Sequence, residues 1–364
     1  MLHEQQLSVH LKHFINHVKA RDSQSKSKAS HRQKRKMVSE LGIRAEPYTV
    51  QDVLDGKPEI PTFKVVWQER TTKDHHIKAH FYMSENGRSE DHGVSKLVDL
   101  DEYDMVRLAA DQSYIVLAGS PEAYTIELVV VCGVGMGCAY SPSLTKFLHK
   151  AVDAAVNYRR NVWPTHVGVM NQAGLNMGPR HARDIIGAVS LIWSIAQAAL
   201  PKDALQVIYD HLSSSGLTLH FDGVNYFFPH TKRAPPEVYI SRAYGAPAHW
   251  DRSHYQYAIA YIADRIIDFS HQDRQGQHAL TCNAGGNYVN VELGTVVESA
   301  PGTLILFQPR QRHGTTLSYC ACNYGYAITF SRRLIDGYRE LLDEAKAEYF
   351  IKPMDSNEEG VVYE

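Results

Sequence analysis

The sequence predicts an α+β protein whose C-terminal part is an antiparallel sandwich or jelly roll, buttressed by helices from the preceding region. Two observations predict it. From Leu217 to Phe330 the chain reads as short β-branched and aromatic runs punctuated by Gly and Pro, the pattern of a sandwich or jelly roll. Ahead of it, apolar residues recur at helical spacing, as in Ile185, Ile186, Val189, Ile192, Trp193 and Ala196. A chain of 364 residues, 44% hydrophobic, has the material for a real core.

Taken in order, residues 1–45 form a basic N-terminal helix and flexible arm. Leu7, Leu11, Phe14 and Val18 give an amphipathic helix over 4–20. The segment Lys19–Lys36 that follows is rich in Lys, Arg, Ser and Gln and too poor in apolar residues to order itself. Residues 46–216 form an α/β region supporting the barrel. Its expected strands are Thr62–Gln68, Ile77–Met83, Ser113–Ala118 and Glu127–Cys132, and its expected helices Pro142–Arg159, Arg180–Leu200 and Lys202–Ser213. Residues 217–350 form the jelly roll, with strands Val238–Ala243, Tyr255–Ile262, Tyr288–Leu293, Gly302–Phe307 and Tyr326–Phe330 and a closing helix Leu334–Tyr349. Residues 351–364 are an acidic tail.

Charge is nearly balanced, 38 Lys+Arg against 40 Asp+Glu, so net charge points to no polyanionic partner and any such case must be local. Five cysteines without paired metal-finger spacing read as reduced thiols. The N-terminus lacks the apolar core of a signal peptide, and no apolar run reaches the roughly 20 residues of a membrane helix. The expectation is an intracellular protein, nuclear or cytoplasmic, with no membrane partner.

Among 20 histidines, a spacing argument singles out His249 and His313. His249-Trp250-Asp251 follows a strand and the turn Gly245-Ala246-Pro247. In extended backbone, residues two apart point the same way, so His249 and Asp251 can converge on one ion while Trp250 packs elsewhere. His313 lies 62 residues beyond Asp251, after the strand Gly302–Phe307 and a polar turn. Two imidazoles and a carboxylate on one face of an ion leave other positions open, which suits non-haem iron(II). His220-Phe221-Asp222 and His271-Gln272-Asp273 also match His-x-Asp, but only the 249/251 pair is flanked by strands on both sides.

Over Glu237–Arg333 the chain resembles the iron(II)/2-oxoglutarate-dependent dioxygenase superfamily: His-x-Asp, a gap, then Ala300-Pro301-Gly302-Thr303 leading an apolar strand into Arg312-His313-Gly314. The resemblance implies a double-stranded β-helix, Fe(II) on His249, Asp251 and His313, 2-oxoglutarate and dioxygen as co-substrates, and oxidation of a C–H bond. It also implies an Arg or Lys about ten residues past the distal His to bind the keto-acid carboxylate. Position 323 is Asn. The substitutes expected for that task are Arg242 or Lys232 from another strand, Asn323 and Tyr326 themselves, and Arg332 beyond the last strand.

A diffuse likeness to fungal ten-eleven-translocation/J-binding-protein oxygenases, together with the basic arm (Lys26, Lys28, Arg32, Lys34, Arg35 and Lys36), suggests a modified nucleobase in DNA or RNA. Tyr244, Tyr226, Phe227 and Phe228 are the aromatics available for stacking a flipped base. The competing readings are a small-molecule or protein hydroxylase and an inactive jelly-roll binding protein. A dinucleotide site at Val129–Cys138 is disfavoured because Cys138 stands where its third glycine belongs.

Overall fold

The computed structural model describes residues 47–57, 63–70, 105–132, 142–156, 167–173, 182–214, 218–221, 224–227, 237–245, 249–267, 285–316, 321–332 and 336. The expected helices 4–20 and 334–349, the basic arm, the strand 77–83 and the acidic tail lie outside them.

Fourteen strands and four helices are described. The major sheet runs β1 (Phe63–Trp67), β3 (Ser113–Ser120), β4 (Ala123–Val131), β12 (Leu304–Phe307), β9 (Ala258–Ile267), β14 (Ala321–Thr329), β8 (Glu237–Gly245), β5 (Val167–Ala173). Only β1 and β3 pair in parallel within it. The minor sheet runs β13 (His313–Thr315), β10 (Tyr288–Asn290), β11 (Thr295–Val297), β2 (Val106–Leu108). A hairpin, β6 (Thr218–Phe221) with β7 (Val224–Phe227), stands apart. The helices are α1 (Val50–Leu54), α2 (Pro142–Val156), α3 (Ala182–Ala199) and α4 (Lys202–Ser214).

Strand alternation sorts the core into two layers. On one face of the major sheet Ile115, Leu117, Val129, Val131, Leu304 and Leu306 pack with α2, α3 and α4. Their alternates Tyr114, Val116, Leu128, Val130, Ile305 and Phe307 pack with Leu108, Tyr288, Leu293 and Val297 of the minor sheet and its turns. A period of two on strands buried on both faces makes each apolar run serve both layers. The order is therefore helices, major sheet, minor sheet, an α+β fold. The strands before residue 217 are hydrogen-bonded into the same two sheets as those after it.

Buried tyrosines tie the helical layer on. Tyr326 Oη donates to the Leu148 carbonyl of α2 at 2.7 Å, and Tyr48 Oη to the Ala199 carbonyl at the end of α3 at 2.6 Å. None of the helices among the described residues is long and apolar enough to cross a membrane.

Strand limits follow local chemistry. The sequence places the last strand at Tyr326–Phe330, but β14 opens at Ala321; Cys322-Asn323-Tyr324-Gly325 has low β-propensity and is held by its neighbours β9 and β8. The short strands β2, β11 and β13 and the strand β5 carry no periodic signal of their own and were not expected.

Candidate metal centre

His313 opens β13, opposite Asn290 of β10. His249 is joined to it by an antiparallel bridge, each backbone N–H donating to the other's carbonyl at 2.9 and 2.8 Å. Bridge partners share a face, so both imidazoles turn into the space between the sheets. Their ring centroids are 4.6 Å apart. Two residues on, the Asp251 N–H donates to the Pro309 carbonyl at 2.7 Å. That bond brings the carboxylate to the same point: its two oxygens lie 3.6 Å from His249 Nε2 and 3.6 Å from His313 Nε2. One ligand atom from each residue lies within 4.8 Å of the others, a grouping that could hold a metal ion. At 3.6 Å the contacts exceed the roughly 2.7–3.2 Å of an N–H···O bond, and they approach the spacing of donors around a common cation.

The donor set fits a divalent metal. His313 Nδ1 lies 2.9 Å from the Gln311 carbonyl, a contact that places the ring proton on Nδ1 and leaves the Nε2 lone pair facing Asp251. Burial, then the neighbouring His249, pull the His313 pKa from 6.5 down to about 4, so the imidazole stays neutral. His313 is 8% exposed at its side chain, against 33% for His249 and 51% for Asp251. The group is thus buried on one side and open on the other.

The turn between β12 and β13 is held by a polar network that sequence reasoning missed. A bulge in β4 leaves Glu127 without a register partner on β3. Its buried carboxylate accepts from Arg70 Nε and Nη2 at 3.0 Å each, from Gln308 Nε2 at 3.2 Å, and from Gln311 Nε2. Gln311 Oε1 accepts from Asn290 Nδ2 at 2.6 Å. Glu127 therefore anchors the residue whose carbonyl orients His313. An acid inside an apolar run was the only signal, and it was read as part of a strand.

The 249–255 segment is pinned a third time by Arg310, whose Nε and Nη2 donate to the Ser253 carbonyl at 3.2 and 3.0 Å. Trp250, expected to pack, is 52% exposed, with the Arg252 guanidinium 6.0 Å from its ring centroid. Tyr244 lies near enough that burial and then the Asp251 charge push its phenol well above the usual range.

The residues expected to bind a keto acid are scattered. Arg242 Nη1 donates to Asp153 of α2 at 2.8 Å, on the helical face of the sheet. Tyr326 is likewise committed to the helical layer through Leu148. Arg332 is exposed, 3.8 Å from Asp336. Each is corrected for one reason: its side chain is engaged away from the triad, on the helical face or at the surface. Asn323 alone stands at the inter-sheet space, accepting from Arg265 Nη1 and donating to the Gly286 carbonyl, both at 2.7 Å. Lys232, Phe228 and the basic arm lie outside the described residues, as do the side chains of Tyr226 and Phe227.

No family model and no curated protein matches the sequence. Among solved structures the chain is similar to NgTET1 in complex with 5mC DNA, at 10% identity and a TM-score of 0.37, covering 67% of this chain and 86% of that one. It is also similar to a prolyl hydroxylase from Trichoplax adhaerens in complex with a hypoxia inducible factor oxygen degradation domain peptide fragment, at 11% identity and a TM-score of 0.31, covering 58% of this chain and 86% of that one.

Proposed function

We propose that this chain is a mononuclear iron(II) oxygenase that uses 2-oxoglutarate and dioxygen to oxidise a C–H bond. The convergence of His249, Asp251 and His313 carries the reading. Strand order supports the corresponding double-stranded β-helix: β8, β9, β12 and β14 lie in one sheet, while β10, β11, β13 and the His249 bridge interleave with them in the other.

Iron(II) held there would supply the oxidising power that no side chain has. The protein's own part is positional. His249, Asp251 and His313 offer three donors from one side, leaving the other side of an ion accessible. The Gln311 carbonyl holds the His313 proton on Nδ1, and the backbone bonds of His249 and Asp251 fix where their side chains start. Phe307 and Tyr288, with ring centroids 4.9 and 6.0 Å from that of His313, keep its buried side apolar. Neither imidazole nor the carboxylate serves as a general base in this scheme.

For the substrate, the basic arm 19–36 favours a polyanion, and with it oxidation of a modified base in nucleic acid. Salt-dependent DNA or RNA binding that survives deletion of residues 19–36 unchanged would remove that support. The central test is metal content. Anaerobically loaded protein should hold about one iron(II) per chain, and the His249→Ala/Asp251→Ala variant none; wild-type protein without stoichiometric iron overturns the reading.

A further inference from the structure

The resemblance calls for a cation at position 323, where the chain has Asn; the structure puts a guanidinium beside it. Asn323 pairs in register with Arg265 of β9. Strict alternation would send Arg265 to the wrong face. On β9, Ile259, Tyr261 and Ala263 pack toward the helices, while Ala258 packs toward the minor sheet. Residue 265 should follow 263.

A bulge reverses this. Tyr324 pairs with Asp264 and Gly325 with Ile262, so Ala263 is the extra residue. Asp264 then joins Ala263 on the helical side, its Oδ2 3.1 Å from His149 Nδ1 of α2. Arg265 turns inward instead. Re-aiming a side chain is the characteristic effect of a bulge.

Arg265 is 9% exposed and held at two points, Nη1 donating to Asn323 Oδ1 and Nη2 to the Gly285 carbonyl, both at 2.7 Å. Both acceptors are neutral oxygens, so the positive charge is carried into the inter-sheet space. The anchoring segment is itself fixed, with the Gly286 N–H on the Thr316 carbonyl and the Gly286 carbonyl accepting from Ser299 Oγ. From there β10 runs toward the metal group: Tyr288 faces inward, its ring 6.0 Å from that of His313, and Asn290 stands opposite His313. Tyr288 Oη is buried with no hydrogen-bond partner among the described residues. A planar fork and a phenol beyond a metal group suit a ligand whose second carboxylate points away from the metal.

We propose that Arg265, turned inward by the β9 bulge and held by Asn323, binds the distal carboxylate of a dicarboxylic 2-keto acid, with Tyr288 as a second donor. This rests on the iron oxygenase reading, and the test separates the two. Iron(II)-loaded full-length protein is titrated anaerobically by calorimetry with 2-oxoglutarate and with pyruvate, which shares the keto-carboxylate end and lacks the second carboxylate. Wild type should prefer 2-oxoglutarate. Arg265→Gln should lose about 10- to 100-fold in 2-oxoglutarate affinity, the range of a charge-assisted bond, with pyruvate unchanged. Should Arg265→Gln not fold, Arg265→Lys keeps the charge without the fork and should lose part of the preference. A preference untouched by either variant, or an equal fall for both acids, overturns the assignment while leaving the iron reading intact. Iron-loaded wild type that binds neither acid overturns both.

Discussion

The two ends of the space between the sheets are assembled by different means. At the metal end, His249 and Asp251 come from one short segment and His313 from the start of a strand bridged directly to it. Neighbouring backbones bring the donors together. At the far end, the cation comes from mid-β9 and faces the right way only because one extra residue sits between Ile262 and Asp264. The lesson is that a ligand group built on strand starts is written as spacing, whereas one built on a bulge is written only in the register between strands. Both ends nevertheless use the same device, since Glu127, which anchors the metal-side turn, is also a bulge residue.

The largest effect should separate the ends outright. His313→Ala should abolish stoichiometric iron binding, while Arg265→Gln keeps one iron per chain by elemental analysis; parallel loss in both would merge the two sites into one. Next comes the shared support. Glu127→Ala leaves the amides of Gln308 and Gln311 without their buried acceptor, and should cost about 2–4 kcal/mol in urea unfolding. The same change should weaken iron about 10- to 100-fold in a competitive metal titration, as loss of an orienting partner does.

A charge exchange probes the far end. In the double variant Arg265→Asn/Asn323→Arg the cation moves to the facing strand, and 2-oxoglutarate should regain about tenfold over Arg265→Asn alone. No recovery would mean that β9, and not merely a cation at this pair, is required.

Acid should act on the metal end only. His313 has its pKa lowered from 6.5 to about 4 by burial, so the unfolded chain takes up its proton first as pH falls. The stabilising contribution of neutral His313 is complete above 6.5 and is lost as pH drops from there toward 4. Urea midpoints of metal-free protein should fall over that window more for wild type than for His313→Gln. The smallest effects belong to residues the resemblance suggested and the structure placed elsewhere. Tyr326→Phe should cost about 1 kcal/mol through the lost Leu148 bond, and Arg332→Ala about 0.5 kcal/mol or less, each with keto-acid affinity unchanged.

Much of the architecture was legible. The helices α2, α3 and α4 and the strands β1, β3, β8 and β12 sit where periodicity and apolar runs put them. The misses share a cause. β11 and β13 have three residues each, and the first half of β14 is polar and contains Gly325; such segments are strands because a neighbour offers a ladder, not because their residues favour one. Trp250 shows the same limit, since alternation put it opposite the ligands but could not say that nothing covers it there.

The residue types and order of the metal donors follow from the chain alone, because a His-x-Asp in extended backbone converges by geometry and a distal His completes it. The sequence also showed that the customary cation was missing at 323. Where its replacement stands was decided in three dimensions: Arg265 lies 58 positions earlier than Asn323 in the chain and 2.7 Å away in space. Alternation on a single strand is a local property, but a bulge depends on how two strands register, and only the assembled sheet fixes that.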